Sequence, residues 1–197
     1  MDYVIGVLLV IVAYFLGNVS PAILLGKLKG IDIRREGSGN AGTTNVLRVL
    51  GKKAALITLL VDILKGLLAV LLGKYLGGYT IGSLCALAVF CGHIWPCLYK
   101  FKGGKGVATA FGALMGINWI VAISSLGIVI LFIIITQRMS VGSIMAALVF
   151  PVICYLLEPE FIWIGTIMAA IIIFKHRANI KRIIKGEEPK LKFKKSN

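Results

Sequence analysis

The chain has 197 residues, of which 58% are hydrophobic, and a formal net charge of +14. One soluble core could not hide that much apolar side chain, and runs such as "LGIVILFIIIT" and "TIMAAIIIF" predict an all-α integral membrane protein that crosses the bilayer several times. In a soluble domain the basic excess would point to nucleic acid; in a membrane chain it must first be read as topology.

The opening "MDYVIGVLLVIVAYFLGN" lacks a basic leader and a small-residue cleavage site, so it is expected to be a retained first span over about 4–25. A hydrocarbon core of ~30 Å needs about 20 helical residues. Stretches 54–73, 80–99, 118–136 and 141–157 come near that length, and 161–174 is shorter but can extend into "KHR", giving 161–176. Stretch 107–117 is shorter, since its residues cover only roughly 16 Å at the helical rise.

Charge decides whether that short stretch crosses. With seven crossings, the Lys and Arg residues of 27–53, 100–105, Arg138 and the segment from Lys175 onward share one side; Lys74 falls on the other, and Lys65 lies within a span. Without the short crossing, Arg138 and the basic tail would switch to the outer face, against the positive-inside rule. The expectation is seven transmembrane helices, one of them short, with the amino terminus outside and the carboxyl terminus cytoplasmic. Most of the positive charge is then topology and attraction to anionic lipid, and no nucleic-acid partner is implied. No internal repeat or soluble domain interrupts the chain, so 1–197 is expected to be one transmembrane domain, its tail "KGEEPKLKFKKSN" too short and too charged to fold alone.

This orientation gathers three unusual segments on the cytoplasmic side, 37–53, 100–112 and 174–191. The first, "GSGNAGTTNVLRVLGKK", packs Ser38, Asn40, Thr43, Thr44, Asn45 and Arg48 among glycines, a donor density suited to an anion, with a helix expected to begin near "TTNVLRVL" under a Thr or Asn cap. The plain alternative is a Gly-rich re-entry loop. In the second, "KFKGGKGVATAFG", Gly103, Gly104 and Gly106 allow close backbone approach, Lys102 and Lys105 supply cations, and a helix starts just after. It is not a Walker A loop, because position 99 is Tyr and position 106 is Gly. In the third, "FKHRANIKRIIKGEEP", His176 and Asn179 share a helical face at the membrane edge, while Glu187 and Glu188 are expected to pair with nearby lysines as structural support.

Within the bilayer, Asp62 and Lys65 lie at i, i+3 and so share a face; ionisable residues there are functional candidates by default, with helix ordering as the alternative. His93, in "CGHIWP" near the end of a span, is expected to give hydrogen-bonded support. Cys85, Cys91, Cys97 and Cys154 have no metal-ligand spacing, and the sparse carboxylates form no Asp cluster, so neither a metal nor a cofactor is implied. His93 is followed at +4 by Cys97 and His176 by Ile180, which excludes acyltransferases with a His four residues before an Asp. No Ser-His-Asp triad can be assembled. A pocket rich in Lys, Arg, Asn and hydroxyls among lipid-facing helices suits a small phosphorylated substrate meeting a lipidic one.

The segments "GSGNAGTTNVLRVLGKK", "HIWPCLYKFKGGKGVATAFG" and "HRANIKRIIKGEEPKL" resemble the three cytoplasmic motifs of the bacterial acyl-phosphate:glycerol-3-phosphate acyltransferase family of the PlsY type, and "SPAILLGKLKGIDIR" and "VDILKG" resemble its flanking sequence. The resemblance implies transfer of a fatty acyl group from acyl phosphate to the 1-hydroxyl of glycerol 3-phosphate, giving lysophosphatidate and phosphate in phospholipid synthesis. It further implies a bacterial cytoplasmic membrane, and functional coupling to the enzyme that makes acyl phosphate. By resemblance, Ser38 and Arg48 are needed for activity, the glycines and Lys105 of the second motif bind the phosphate of glycerol 3-phosphate, His176 and Asn179 assist activity, and Glu187 or Glu188 is structural. Asn40, Thr43, Asn45, Lys102, Asp62 and Lys65 complete the expected substrate-binding set. Direct, substrate-assisted transfer without an acyl-enzyme is expected, with His176 as general base the competing assignment. A transporter of a phosphorylated metabolite, using Asp62–Lys65 as a midplane pair, and a basic membrane scaffold are the readings from other classes.

Overall fold

The computed structural model describes residues 3–191, so Asp2 and the basic end of the tail lie outside it. Among the described residues all regular elements are helical: α1 Tyr3–Asn18, α2 Pro21–Leu28, α3 Thr43–Leu50, α4 Lys52–Ile94, α5 Val107–Ile117, α6 Trp119–Thr136, α7 Met139–Leu157, α8 Ile162–Lys175 and α9 Arg177–Ile184. Their contacts divide into two compact units on either side of the Ala122–Ile123 junction.

In the first unit, the expected span over 4–25 is broken. α1 ends at Asn18, and Pro21, which lacks an N–H, opens α2. The 43 residues of α4 are two arms rather than one rod. Gly78 sits at φ 78° and ψ −177°, backbone that an L side chain resists, and the chain turns back there. A Cβ on Gly73 would lie 2.8 Å from Cys85 Sγ and 3.0 Å from Gly82 Cα, whereas twelve residues of straight helix would separate Gly73 and Cys85 by about 18 Å. The two arms correspond to the expected spans 54–73 and 80–99, although the second ends at Ile94 and gives way to a 3-10 turn at Cys97–Tyr99.

The short α5 has the expected bounds and lies against the first arm, where Gly112 allows near contact with Ile63: a Cβ there would meet the Ile63 backbone. The only basic residue expected on the outer side, Lys74, donates to the Gly116 and Ile117 carbonyls at 3.1 Å each, closing the carboxyl end of α5.

The segment between α2 and α4 is no slack linker. Ala22, Ile23, Ile33, Ala41, Val46 and Ala55 are buried together, with Val49, Leu50 and Tyr99 packed on them. The cap of α3 is a correction: Gly42, in extended backbone at φ −141° with no side-chain cap bond, precedes Thr43. The expected Thr or Asn cap does not form, and Asn45 is turned inward to hold the preceding loop.

In the second unit, α6, α7 and α8 are apolar helices. α8 follows a 3-10 turn at Pro159–Phe161 and is bent by 55° from α9, with His176 at the bend. α6 and α7 are long and apolar enough to span a bilayer, as are Tyr3–Leu28 and Lys52–Tyr99; the bent pair adds a fifth stretch when counted as one span. The chain is a multi-pass membrane protein.

Candidate active site

The first motif is organised around Asn45, which is 1% exposed. Its Oδ1 accepts the Ser38 N–H at 2.8 Å, and its Nδ2 donates to the Ile33 carbonyl at 3.1 Å and the Glu36 carbonyl at 2.9 Å. All three bonds are to backbone, so Asn45 shapes the loop that presents Ser38. Ser38 and Arg48 are exposed, and Asn40 and Thr43 are half-buried; Thr43 Oγ1 is buried with no partner among the described residues.

Upstream, Arg34 pairs with Asp32 at 2.9 Å and donates through Nη1 to the Tyr99 carbonyl at 3.0 Å, tying the first motif's approach to the turn that precedes the second. The Arg34 side chain, then its backbone N–H, holds the Asp32 carboxyl down to about 2. The same pairing raises the Arg34 guanidinium above its ordinary value.

The second motif folds back on the end of α4. Tyr14 donates to the Trp95 carbonyl at 2.7 Å and accepts the Cys97 N–H at 3.2 Å, while Asn18 Oδ1 accepts the Leu98 N–H at 3.2 Å. After left-handed turns at Lys100 and Phe101, Gly103 N–H donates to the Ile94 carbonyl at 3.2 Å and Gly104 N–H to the His93 carbonyl at 3.1 Å. These two glycine amides are thus committed to the protein, and the residues contribute through space. A Cβ on Gly104 would run into His93 Nε2 and lie 2.9 Å from the Ala41 carbonyl, so the first and second motifs meet at this glycine. Gly106, at φ 83°, has no room for a side chain beside Phe90 and starts α5. Lys105 is half-buried between them. Lys102 is exposed and lines a separate cleft of about 280 Å³ with Asp32, Arg34, Arg35 and Lys100.

Behind the glycines lies a buried cluster. Lys65 Nζ is 2.7 Å from Asp62 Oδ1, 2.9 Å from His93 Nδ1 and 2.7 Å from the Val19 carbonyl at the α1–α2 break. The i, i+3 pair expected from the sequence therefore forms, and His93 joins it.

In the second unit, the third motif is built on Glu188. Its Oε1 accepts from Ser140 Oγ at 2.6 Å and from Asn179 Nδ2 at 2.7 Å; its Oε2 accepts from Arg182 Nε at 2.7 Å. Arg138 Nε donates to the Glu188 carbonyl at 3.0 Å. Burial alone would raise the Glu188 carboxyl, but the bonds from Ser140, Asn179 and Arg182 outweigh it and hold the group below its ordinary value. Glu187 is exposed, so the supporting role falls to Glu188. His176 is buried at the α8–α9 bend and pairs through Nδ1 with the Ile172 carbonyl at 2.8 Å. A carbonyl only accepts, so Nδ1 carries a proton; in the neutral ring Nε2 is then the basic nitrogen.

Comparison with known proteins sets these sites in a family. The residue profile described as Glycerol-3-phosphate acyltransferase matches residues 7–186. The chain belongs to the glycerol-3-phosphate acyltransferase family.

A family member of Thermoanaerobacter pseudethanolicus, named glycerol-3-phosphate acyltransferase, is 44% identical over 188 residues, covering 94% of this chain and 95% of its own. One of Thioalkalivibrio sulfidiphilus, with the same name, is 46% identical over 193 residues, covering 96% and 95%. The crystal structure of PlsY (YgiH), an integral membrane glycerol 3-phosphate acyltransferase, in its glycerol 3-phosphate form aligns with a TM-score of 0.91 at 34% identity over 95% of this chain and 96% of that one. Its lysophosphatidic acid form aligns with a TM-score of 0.87 at 34% identity, covering 95% of each chain. The protein is an acyltransferase of this family, which displaces the transporter and scaffold readings. Tyr14, Asn18, Arg34, Ser140 and Arg182 escape sequence reasoning. All but Arg182, which lies six residues before Glu188, act through a contact far along the chain, and nothing in the local pattern distinguishes them from ordinary interfacial residues.

Proposed function

We propose that this acyltransferase takes its acyl group from acyl phosphate and places it directly on the 1-hydroxyl of glycerol 3-phosphate. The observation that carries the acceptor is the similarity, along nearly the whole chain, to a PlsY crystal structure in a glycerol 3-phosphate form. The donor rests on the resemblance of the three motifs and on the lack of a His followed by Asp at +4.

The glycerol 3-phosphate hydroxyl oxygen attacks the acyl carbonyl carbon, the carbon–oxygen bond to phosphate breaks, and the hydroxyl proton passes to an oxygen of the departing phosphate. A mixed anhydride has a stable leaving group, so positioning and charge carry most of the work. Lys105 and the amino end of α5 take the phosphate of glycerol 3-phosphate, Ser38 and Arg48 serve the reaction from the first motif, and His176 and Asn179 assist from the third. Seven crossings, with the amino terminus outside and the motifs on the cytoplasmic face of a bacterial membrane, follow from the positive-inside pattern. The α4 hairpin supports two of those crossings. Acyl phosphate reaches the protein from the enzyme that forms it, to which this reaction is functionally coupled.

One observation favours a second assignment of the proton acceptor: with Nδ1 held by the Ile172 carbonyl, Nε2 of a neutral His176 would be the basic nitrogen. If His176→Ala loses ~10²-fold or more in kcat with both KM values intact, the base is His176 and the substrate-assisted route falls. Direct transfer is tested by mixing enzyme with acyl phosphate alone and quenching. The expected result is no acylated protein and no phosphate burst until glycerol 3-phosphate is added; a trapped acyl-protein would end the direct route.

A further inference from the structure

The Lys65 ammonium donates to the Val19 carbonyl at 2.7 Å, forms an ion pair with Asp62 at 2.7 Å to Oδ1, and lies 2.9 Å from His93 Nδ1. Asp62, Lys65 and His93 are all buried. Lys65 is thus enclosed by groups of the protein, and its effect is on its neighbours. When Lys65 donates to Nδ1, the proton of the neutral ring sits on Nε2. His93 Nδ1 also lies 3.3 Å from Asp62 Oδ1, so the three side chains form one cluster.

Nε2 is the edge of the ring that faces Gly104, where an added Cβ would strike it, and the Ala41 carbonyl of the first motif closes on the same point. On their other side, Gly103 and Gly104 are held by the Ile94 and His93 carbonyls. His93 thus grips the glycine loop through both backbone and ring, and Lys65 anchors that ring to the α1–α2 break.

We propose that Asp62, Lys65 and His93 form a buried positioning cluster: Asp62 and Lys65 anchor the His93 ring, and His93 sets the Gly103–Gly104 loop in the geometry that binds glycerol 3-phosphate. This rests on the reading that the second motif holds the substrate phosphate. None of the three touches substrate.

The test is steady-state kinetics of the full chain, with KM for glycerol 3-phosphate and for acyl phosphate measured separately. His93→Ala is expected to raise KM for glycerol 3-phosphate about tenfold or more, with kcat and the acyl phosphate KM within about threefold. His93→Gln, whose amide nitrogen lies where Nε2 does, is expected to recover most of that loss. His93→Asn, whose amide matches the Nδ1 position, is not. The double variant Asp62→Asn/Lys65→Met, which leaves no lone buried charge, is expected to raise the same KM. Should His93→Ala fail to fold, the Gln and Asn variants decide. Equal KM values in those two, or a joint change in kcat and both KM values, would overturn the proposal. Lys105→Ala separates this from the underlying reading. If it leaves KM for glycerol 3-phosphate unchanged, the phosphate site itself is wrong and the proposal falls with it; if it raises that KM while the His93 variants do not, positioning alone is overturned.

Discussion

Asn45 Oδ1 accepts the Ser38 N–H at 2.8 Å, so a residue in the first turn of α3 holds the residue that the first motif presents to solvent. Asn45→Ala leaves that N–H and the Ile33 and Glu36 carbonyls without their partner. Such losses cost about 1–3 kcal/mol when buried. Lysophosphatidate formation is expected to fall as far as it does in Ser38→Ala, because the Asn45 amide holds the loop that carries Ser38. Thermal unfolding in detergent and turnover, measured on both variants, check this; full activity in Asn45→Ala would show that the amide does not organise the loop.

Glu188 gives a pH dependence. Its carboxyl is held below its unfolded value, so the stabilisation is complete above the ordinary Glu range, near 4.3. It is then lost as pH falls through the lower folded value. The apparent Tm of the wild type is expected to drop below pH ~4.3, with a smaller drop in Glu188→Gln, which cannot titrate. At pH 7 the Gln variant is expected to be the less stable, because the charge that draws Asn179, Ser140 and Arg182 together is gone. Parallel acid curves for the two proteins would remove Glu188 as the organiser of the third motif.

Two glycines separate packing from propensity. A Cβ at Gly112 would meet the Ile63 backbone, while one at Gly127 has nothing within 4 Å. Gly112→Ala is expected to destabilise by about 1–3 kcal/mol as α5 is pushed from α4. Gly127→Ala should be neutral or stabilise by about 0.5–1 kcal/mol. Apparent Tm values of the two variants settle the contrast.

Lys74→Met removes the donor to the last carbonyls of α5. Hydrogen bonds to charged groups are worth about 1.5–3 kcal/mol. A lowered Tm is expected, with kcat of the folded fraction unchanged, since the contact is at the end of α5 away from its glycine loop. A fall in kcat without loss of stability would contradict a purely structural role.

The helices and the three motifs could be read from the sequence because each rests on a local signal: apolar length, the Gly-Lys spacing, or the i, i+3 pair of Asp62 and Lys65. The break at Val19 was hidden because "NVSPAILLG" is as apolar as a span, and its only marker is Pro21. The inward turn of Asn45 and the joining of His93 to Lys65 depend on packing between segments 7 and 28 residues apart, which no local pattern encodes. The choice between Glu187 and Glu188 was likewise open until Ser140, 48 residues earlier, supplied a partner.

The central claim is that a cytoplasmic-side phosphate site serves acyl phosphate and glycerol 3-phosphate. Purified full-length protein, supplied with glycerol 3-phosphate and either acyl phosphate or acyl-CoA, tests it most directly. Lysophosphatidate and inorganic phosphate are expected to appear in equal amounts with acyl phosphate, and no product with acyl-CoA. Turnover with acyl-CoA, or none with acyl phosphate, would contradict the account.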